Sequence, residues 1–151
     1  MKSIVQIICM GVIAALAFAA QAQDTERYGK QKVVYHINYD GGPDSKKYKG
    51  AMRNIQNHIN AVGAENMEIK VVLHGNGLGL LMQANQDDSL QGRVAELKGQ
   101  NVGFQVCNNT LKGRKISYED DLYDVWDTDI IPSGVAELSR LQQMGYTYIK
   151  P

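Results

Sequence analysis

The chain has 151 residues, of which 44% are hydrophobic, 21% are charged and only three are proline. One domain of ~100 to 200 residues accounts for that length, and the composition excludes a disordered, collagen-like or low-complexity chain. Sixteen Lys plus Arg balance sixteen Asp plus Glu, so no whole-molecule field gathers polyanions and nucleic acid is not an expected partner.

Residues 1–22 carry Lys2, an apolar run from Ile4 to Ala20 interrupted by Gln6, and the triplet Ala20-Gln21-Ala22. This is the layout of a secretory signal peptide with an A-x-A cleavage site before Gln23, so the mature protein is expected outside the cytoplasm. No later stretch is apolar enough to cross a membrane, and no membrane association is expected after cleavage. Of the two cysteines, Cys9 leaves with the signal and Cys107 stands alone. An exported chain with one thiol forms no internal disulfide.

Residues 23–31 are polar and aperiodic, as in a loose N-terminal arm, and the folded domain is expected over 32–151. Lys32 to Tyr39 is β-branched and aromatic and meets Asp40-Gly41-Gly42-Pro43, which predicts a strand and a turn. Asp44 or Ser45 is the expected cap of a helix ending at Gly63, with Tyr48, Met52, Ile55, Ile59 and Val62 on its apolar face. Met67 to Leu73 predicts a second strand, closed by His74 and the glycines Gly75, Gly77 and Gly79.

A helix follows Asp87-Asp88-Ser89 with Leu90, Val94 and Leu97 inward, and Val102 to Val106 is a third strand ending at Cys107. Residues 108–127 are expected to hold a short helix and a loop. Asp129 to Ile131 is a short fourth strand, and Ser133 caps a helix whose inward residues are Val135, Leu138, Leu141 and Met144. Gly145 stops that helix before a last strand, Tyr146 to Ile149. Strands alternating with helices imply crossover connections. The fold class is therefore a single doubly wound α/β/α domain with a mainly parallel sheet of about five strands.

Ligands of such sheets bind beyond the carboxyl ends of the strands. His74 to Gly79, Cys107 to Thr110 and Pro132 to Gly134 should converge there, which nominates Cys107 for chemistry and His74, Gly75, Asn108, Asn109, Thr110, Ser133 and Gly134 as its binding surroundings. Backbone amides at a helix start favour thiolate over thiol, and the polar flanks predict an accessible sulfur. His36 and His58 have no ligand spacing with His74, so His36 in its strand and His58 on its helix are both expected to pack or to face solvent. A Cu(I)-type pair of Cys107 and His74 supplies too few ligands from one chain, and neither a metal nor a cofactor is called for.

The glycine run 75–79 lacks the spacing of a phosphate-binding loop and is expected to give the backbone room. Glu119, Asp120, Asp121, Asp124, Asp127 and Asp129, with Tyr118, Tyr123 and Trp126 among them, form a solvated surface suited to a partner.

Val102-Gly-Phe-Gln-Val-Cys107-Asn-Asn-Thr110-Leu, the strand end Val71-Val-Leu-His74-Gly75, and Ile131-Pro-Ser-Gly-Val135-Ala-Glu-Leu138 leading into Leu141-Gln-Gln-Met-Gly-Tyr146-Thr-Tyr-Ile-Lys-Pro151 resemble the exported branch of the DsrE/DsrF-like sulfur-relay family. The resemblance covers residues 32–151. It implies an α/β/α protomer assembled as a trimer or hexamer. Cys107 would hold sulfur as a persulfide and pass it to a partner protein or small sulfur compound, with His74, Asn108 and Thr110 lining its pocket and the periplasm as the location. The alternative is a non-catalytic binding or assembly module in which the cysteine is structural.

Overall fold

The computed structural model describes residues 27–151, so the expected signal peptide and the first part of the expected arm lie outside the described residues. In chain order the elements are β1 (Gln31–Ile37), α1 (Lys46–Val62), β2 (Met67–Leu73), α2 (Gly79–Ala84), α3 (Asp88–Gly99), β3 (Gly103–Cys107), α4 (Asn108–Arg114), α5 (Tyr118–Asp121), β4 (Ile130–Ile131), α6 (Gly134–Gln143) and β5 (Thr147–Ile149). The five strands form one sheet in the order β4-β3-β2-β1-β5, every neighbouring pair parallel. The doubly wound α/β architecture expected from the sequence is thus present.

Topology dictates how the helices are shared between the two faces. From β1 to β4 the chain steps along the sheet in one direction, and right-handed crossovers keep the connecting helices on one face. The step from β4 back to β5 runs the other way, which sends α6 alone to the opposite face. The core divides accordingly. The larger cluster joins Val33, Tyr35 and Ile37 of β1 with Tyr48, Met52 and Ile55 of α1 and Leu90, Val94 and Leu97 of α3. The smaller joins Val34, Val72 and Ile131 with Leu138, Leu141 and Tyr146.

All five apolar positions assigned to the first helix are buried. Its start differs from expectation. Ser45 has φ of 56° and gives no side-chain cap, because Pro43–Ser45 forms a separate 3-10 turn ahead of the helix. The last helix also needs correction, since Val135 is 66% and Met144 50% exposed, while Leu138 and Leu141 are buried. A single helix on a sheet face buries only the narrow stripe that meets the strands, and Val135 and Met144 fall at its margins. The short helix α2, absent from the sequence expectations, carries Leu80, Leu81 and Ala84 into the larger core.

The glycine run after β2 does give the backbone room. A Cβ on Gly77 would lie 1.9 Å from the Ile37 carbonyl oxygen, so this turn passes against the end of β1 in a way only glycine permits. Tyr48 braces the same region, its hydroxyl donating to the Tyr39 and Asn76 carbonyls at 3.0 and 2.7 Å.

Candidate functional site

Side chains alternate across a strand. Because Val33, Tyr35, Ile37, Leu73, Phe104 and Val106 serve the larger core, His36, His74 and Cys107 fall on the α6 face. Leu73 pairs with Val106 in the β2–β3 ladder. His74 and Cys107 are each the next residue, and so stand level on neighbouring strands, ~4.8 Å apart by sheet geometry. Tyr148, paired with Val34, lies on the same face of β5. A row therefore crosses the carboxyl edge of four adjacent strands: Cys107, His74, His36, Tyr148.

Cys107 is the residue preceding α4 and is 4% exposed. The accessible sulfur expected from its polar flanks is thus not found. The loop after β4 closes over it, bringing the Gly134 amide onto the sulfur. Yet Cys107 belongs to neither apolar cluster. Burial pushes its thiol pKa up, but the N–H groups of Gly134, Thr110 and Asn109 and the Thr110 hydroxyl outweigh that and hold it below its ordinary value.

Thr110 is itself oriented, because its oxygen accepts the Gly75 N–H at 3.0 Å. With that lone pair occupied, the hydroxyl proton is free for the sulfur. A Cβ on Gly134 would lie 2.9 Å from the His74 Cβ, so only a glycine lets this amide approach between the histidine and the cysteine.

Of the nominated residues, His74, Gly75, Asn109, Thr110 and Gly134 therefore gather around Cys107. The Ser133 hydroxyl instead caps α6, accepting the Ala136 N–H. Asn108, half-buried as the first residue of α4, contributes no hydrogen bond to the sulfur.

His36 is the residue the sequence reading missed. Its Nε2 lies 2.7 Å from His74 Nε2, and its Nδ1 lies 2.7 Å from the Tyr148 hydroxyl. The ring centroids are 4.7 Å apart with planes inclined by 22°. Since the centroids are much farther apart than the nitrogens, the rings meet edge to edge and share an N–H···N bond. Burial lowers the pKa of His36 to about 4, with the His74 and Lys150 charges adding to it. Burial and Lys150 lower that of His74 as well.

The signal for this pair was present in the period-two placement of His36, but it needed the strand order to bring β1 beside β2. His58, by contrast, is used in packing, between the Tyr35 hydroxyl at 2.7 Å and Gln31 Oε1 at 2.8 Å.

Among the described residues no group of three or more His, Cys, Asp or Glu side chains is placed to hold a metal ion. The acidic segment lies elsewhere, around a cavity of about 640 Å³ lined by Tyr118, Glu119, Asp124, Trp126 and Asp127. Trp126 is 67% exposed there, its indole N–H donating to Asp124.

A parallel doubly wound sheet with, among the described residues, one thiol, set at a strand end and with its pKa lowered by neighbouring amide and hydroxyl groups, makes this an α/β protein with a candidate nucleophile at the sheet's carboxyl edge. The DsrE/DsrF-like family model matches residues 31–151, and the chain belongs to that family. It is similar to the solved structure of MTH1491 from Methanobacterium thermoautotrophicum, a protein of unknown function. The two share 32% identity with a TM-score of 0.66, over 81% of this chain and 100% of that one. No curated protein matches the sequence.

Proposed function

We propose that the protein is an exported sulfur carrier that holds sulfane sulfur as a persulfide on Cys107 and passes it to an acceptor thiol. The observation that carries this reading is the convergence of donors from two separate segments, the Gly134 amide and the Thr110 hydroxyl and amide, on one sulfur. Membership of the DsrE/DsrF-like family supports a sulfur-relay role.

In the loading step the Cys107 thiolate attacks the outer sulfur of a donor persulfide, R–S–SH. The donor S–S bond breaks, its electron pair leaves with R–S⁻, and Cys107–S–SH forms. An acceptor thiolate then attacks the outer sulfur and Cys107 leaves as thiolate, so no net oxidation occurs. If Cys9 leaves with the signal, the mature chain keeps the single thiol Cys107, which suits this intermolecular transfer and cannot close an internal disulfide. Because Cys107 is only 4% exposed, both steps require the sulfur to become accessible to the other thiol. Under this proposal the mature protein works in the periplasm as a trimer or hexamer.

Mass spectrometry of the protein after exposure to polysulfide tests it. Wild type should gain the mass of one or more sulfur atoms and Cys107→Ala none. An unmodified wild type ends the proposal. The exposed Trp126 in its acidic surroundings favours a second reading, a non-catalytic binding module with a structural cysteine. In that case charge reversal at Asp120 and Asp121 abolishes partner capture, while Cys107→Ser preserves it.

A further inference from the structure

Beside the histidine pair, between β5 and α6, lies an open cavity of about 770 Å³. We propose that it binds a small divalent oxyanion of the sulfate type, held by His36, His74, Tyr148 and Lys150, with an affinity that rises as the histidine pair takes up a proton. This goes beyond the persulfide reading and stands without it, since sulfate does not react with a thiol.

The first argument is charge. No carboxylate lines the cavity, whose remaining polar walls are Asn38, Ser139, Gln142 and Gln143. Lys150, next after β5, acts electrostatically on both rings and disfavours their charging. On α6 the charged side chains are Glu137 and Arg140, which are spent on each other at 2.7 and 2.9 Å and on Gln105. The cavity thus presents two imidazoles with no carboxylate in its lining and with Lys150 close enough to act on both rings, while the Cys107 sulfur beside His74 is the one neighbouring group whose ionisation opposes an anion. Among the described residues no group of three or more metal-ligating side chains forms here, so a metal is not the expected occupant.

The second argument is the supply of donors. The neutral pair holds two protons on four ring nitrogens, one of them in the N–H···N bond. A third proton makes both Nδ1 atoms donors. His36 Nδ1–H then donates to the Tyr148 oxygen, which turns the Tyr148 O–H outward as a donor. Where His36 donates the shared N–H, that is the donor gained, because His74 Nδ1 already carries the second proton; where His74 donates it, the gain is instead an N–H on His74 Nδ1, which makes no hydrogen bond within the described residues. Charge and donors appear together, so anion binding and proton uptake reinforce each other.

Calorimetric titration of the protein with sulfate, at ionic strength fixed with chloride, tests this. If sulfate raises the pKa of the pair by about two units, binding is roughly tenfold tighter near pH 5 than near pH 8. His36→Gln and Lys150→Gln should each weaken sulfate binding about tenfold near pH 5, the loss expected for one charged contact. Lys150 is exposed, so that variant folds and carries the test if His36→Gln does not. Lys46→Gln, on the opposite face of the sheet, should bind as wild type does. Equal affinity at the two pH values, an unaffected Lys150→Gln, or an equal heat from chloride alone overturns the proposal. So does zinc bound by the pair without any binding of sulfate.

Discussion

Replacing Thr110 by valine isolates what the donors do for the sulfur. The Thr110 oxygen accepts the Gly75 N–H at 3.0 Å, and its proton serves Cys107. Valine keeps the shape and removes both bonds. A hydrogen bond to a charged group contributes about 1.5 to 3 kcal/mol, and each pKa unit corresponds to ~1.4 kcal/mol. The Cys107 thiol in Thr110→Val should therefore titrate about one to two units higher than in wild type.

Stability should fall too, by about 1 to 3 kcal/mol, because the half-buried Gly75 amide loses its partner. Thr110→Ser, which retains the hydroxyl, should restore most of both quantities. Thiolate absorbance against pH reads the first and urea unfolding the second. A folded Thr110→Val protein whose thiol titrates as in wild type would refute the claim that this hydroxyl stabilises the anion.

The histidine pair makes stability depend on pH. The folded-state pKa of His36 lies near 4, below its ordinary 6.5, so the unfolded chain binds more protons between those values. Stability is full above about pH 6.5 and falls by about 2 to 3 kcal/mol as pH drops toward 4. Urea melts of wild type and His36→Gln should diverge in that window, and parallel curves would count against the pair. Gly77→Ala should be destabilised by about 3 kcal/mol or more, since the added methyl meets backbone rather than a yielding side chain; a thermal midpoint equal to wild type would show that the turn can move.

Much of the fold was legible because local pattern and tertiary burial coincide where both sheet faces are covered. β2 spans the predicted Met67–Leu73, and the larger core uses the predicted stripes of α1 and α3. The misjudged positions in α6, Val135 and Met144, sit at apolar spacing, but spacing cannot tell how wide a surface the partner layer offers. With one helix on that face, the stripe is narrow.

The site was half legible. Cys107, His74 and Thr110 announce themselves by standing at or just past strand ends. The role of His36 depends on β1 lying between β2 and β5, and the enclosure of Cys107 depends on a loop that arrives after β4 from far along the chain. Both are consequences of strand order, which no local pattern carries.

The most direct test of a stabilised Cys107 thiolate is the rate of alkylation of the folded wild-type protein as a function of pH. Because the Gly134, Thr110 and Asn109 groups lower the pKa of the Cys107 thiol, the rate should reach half its plateau below the ordinary thiol value of about 8.5. A midpoint at or above that value would mean that burial outweighs the donors, and Cys107 would then be a packing residue rather than a sulfur carrier.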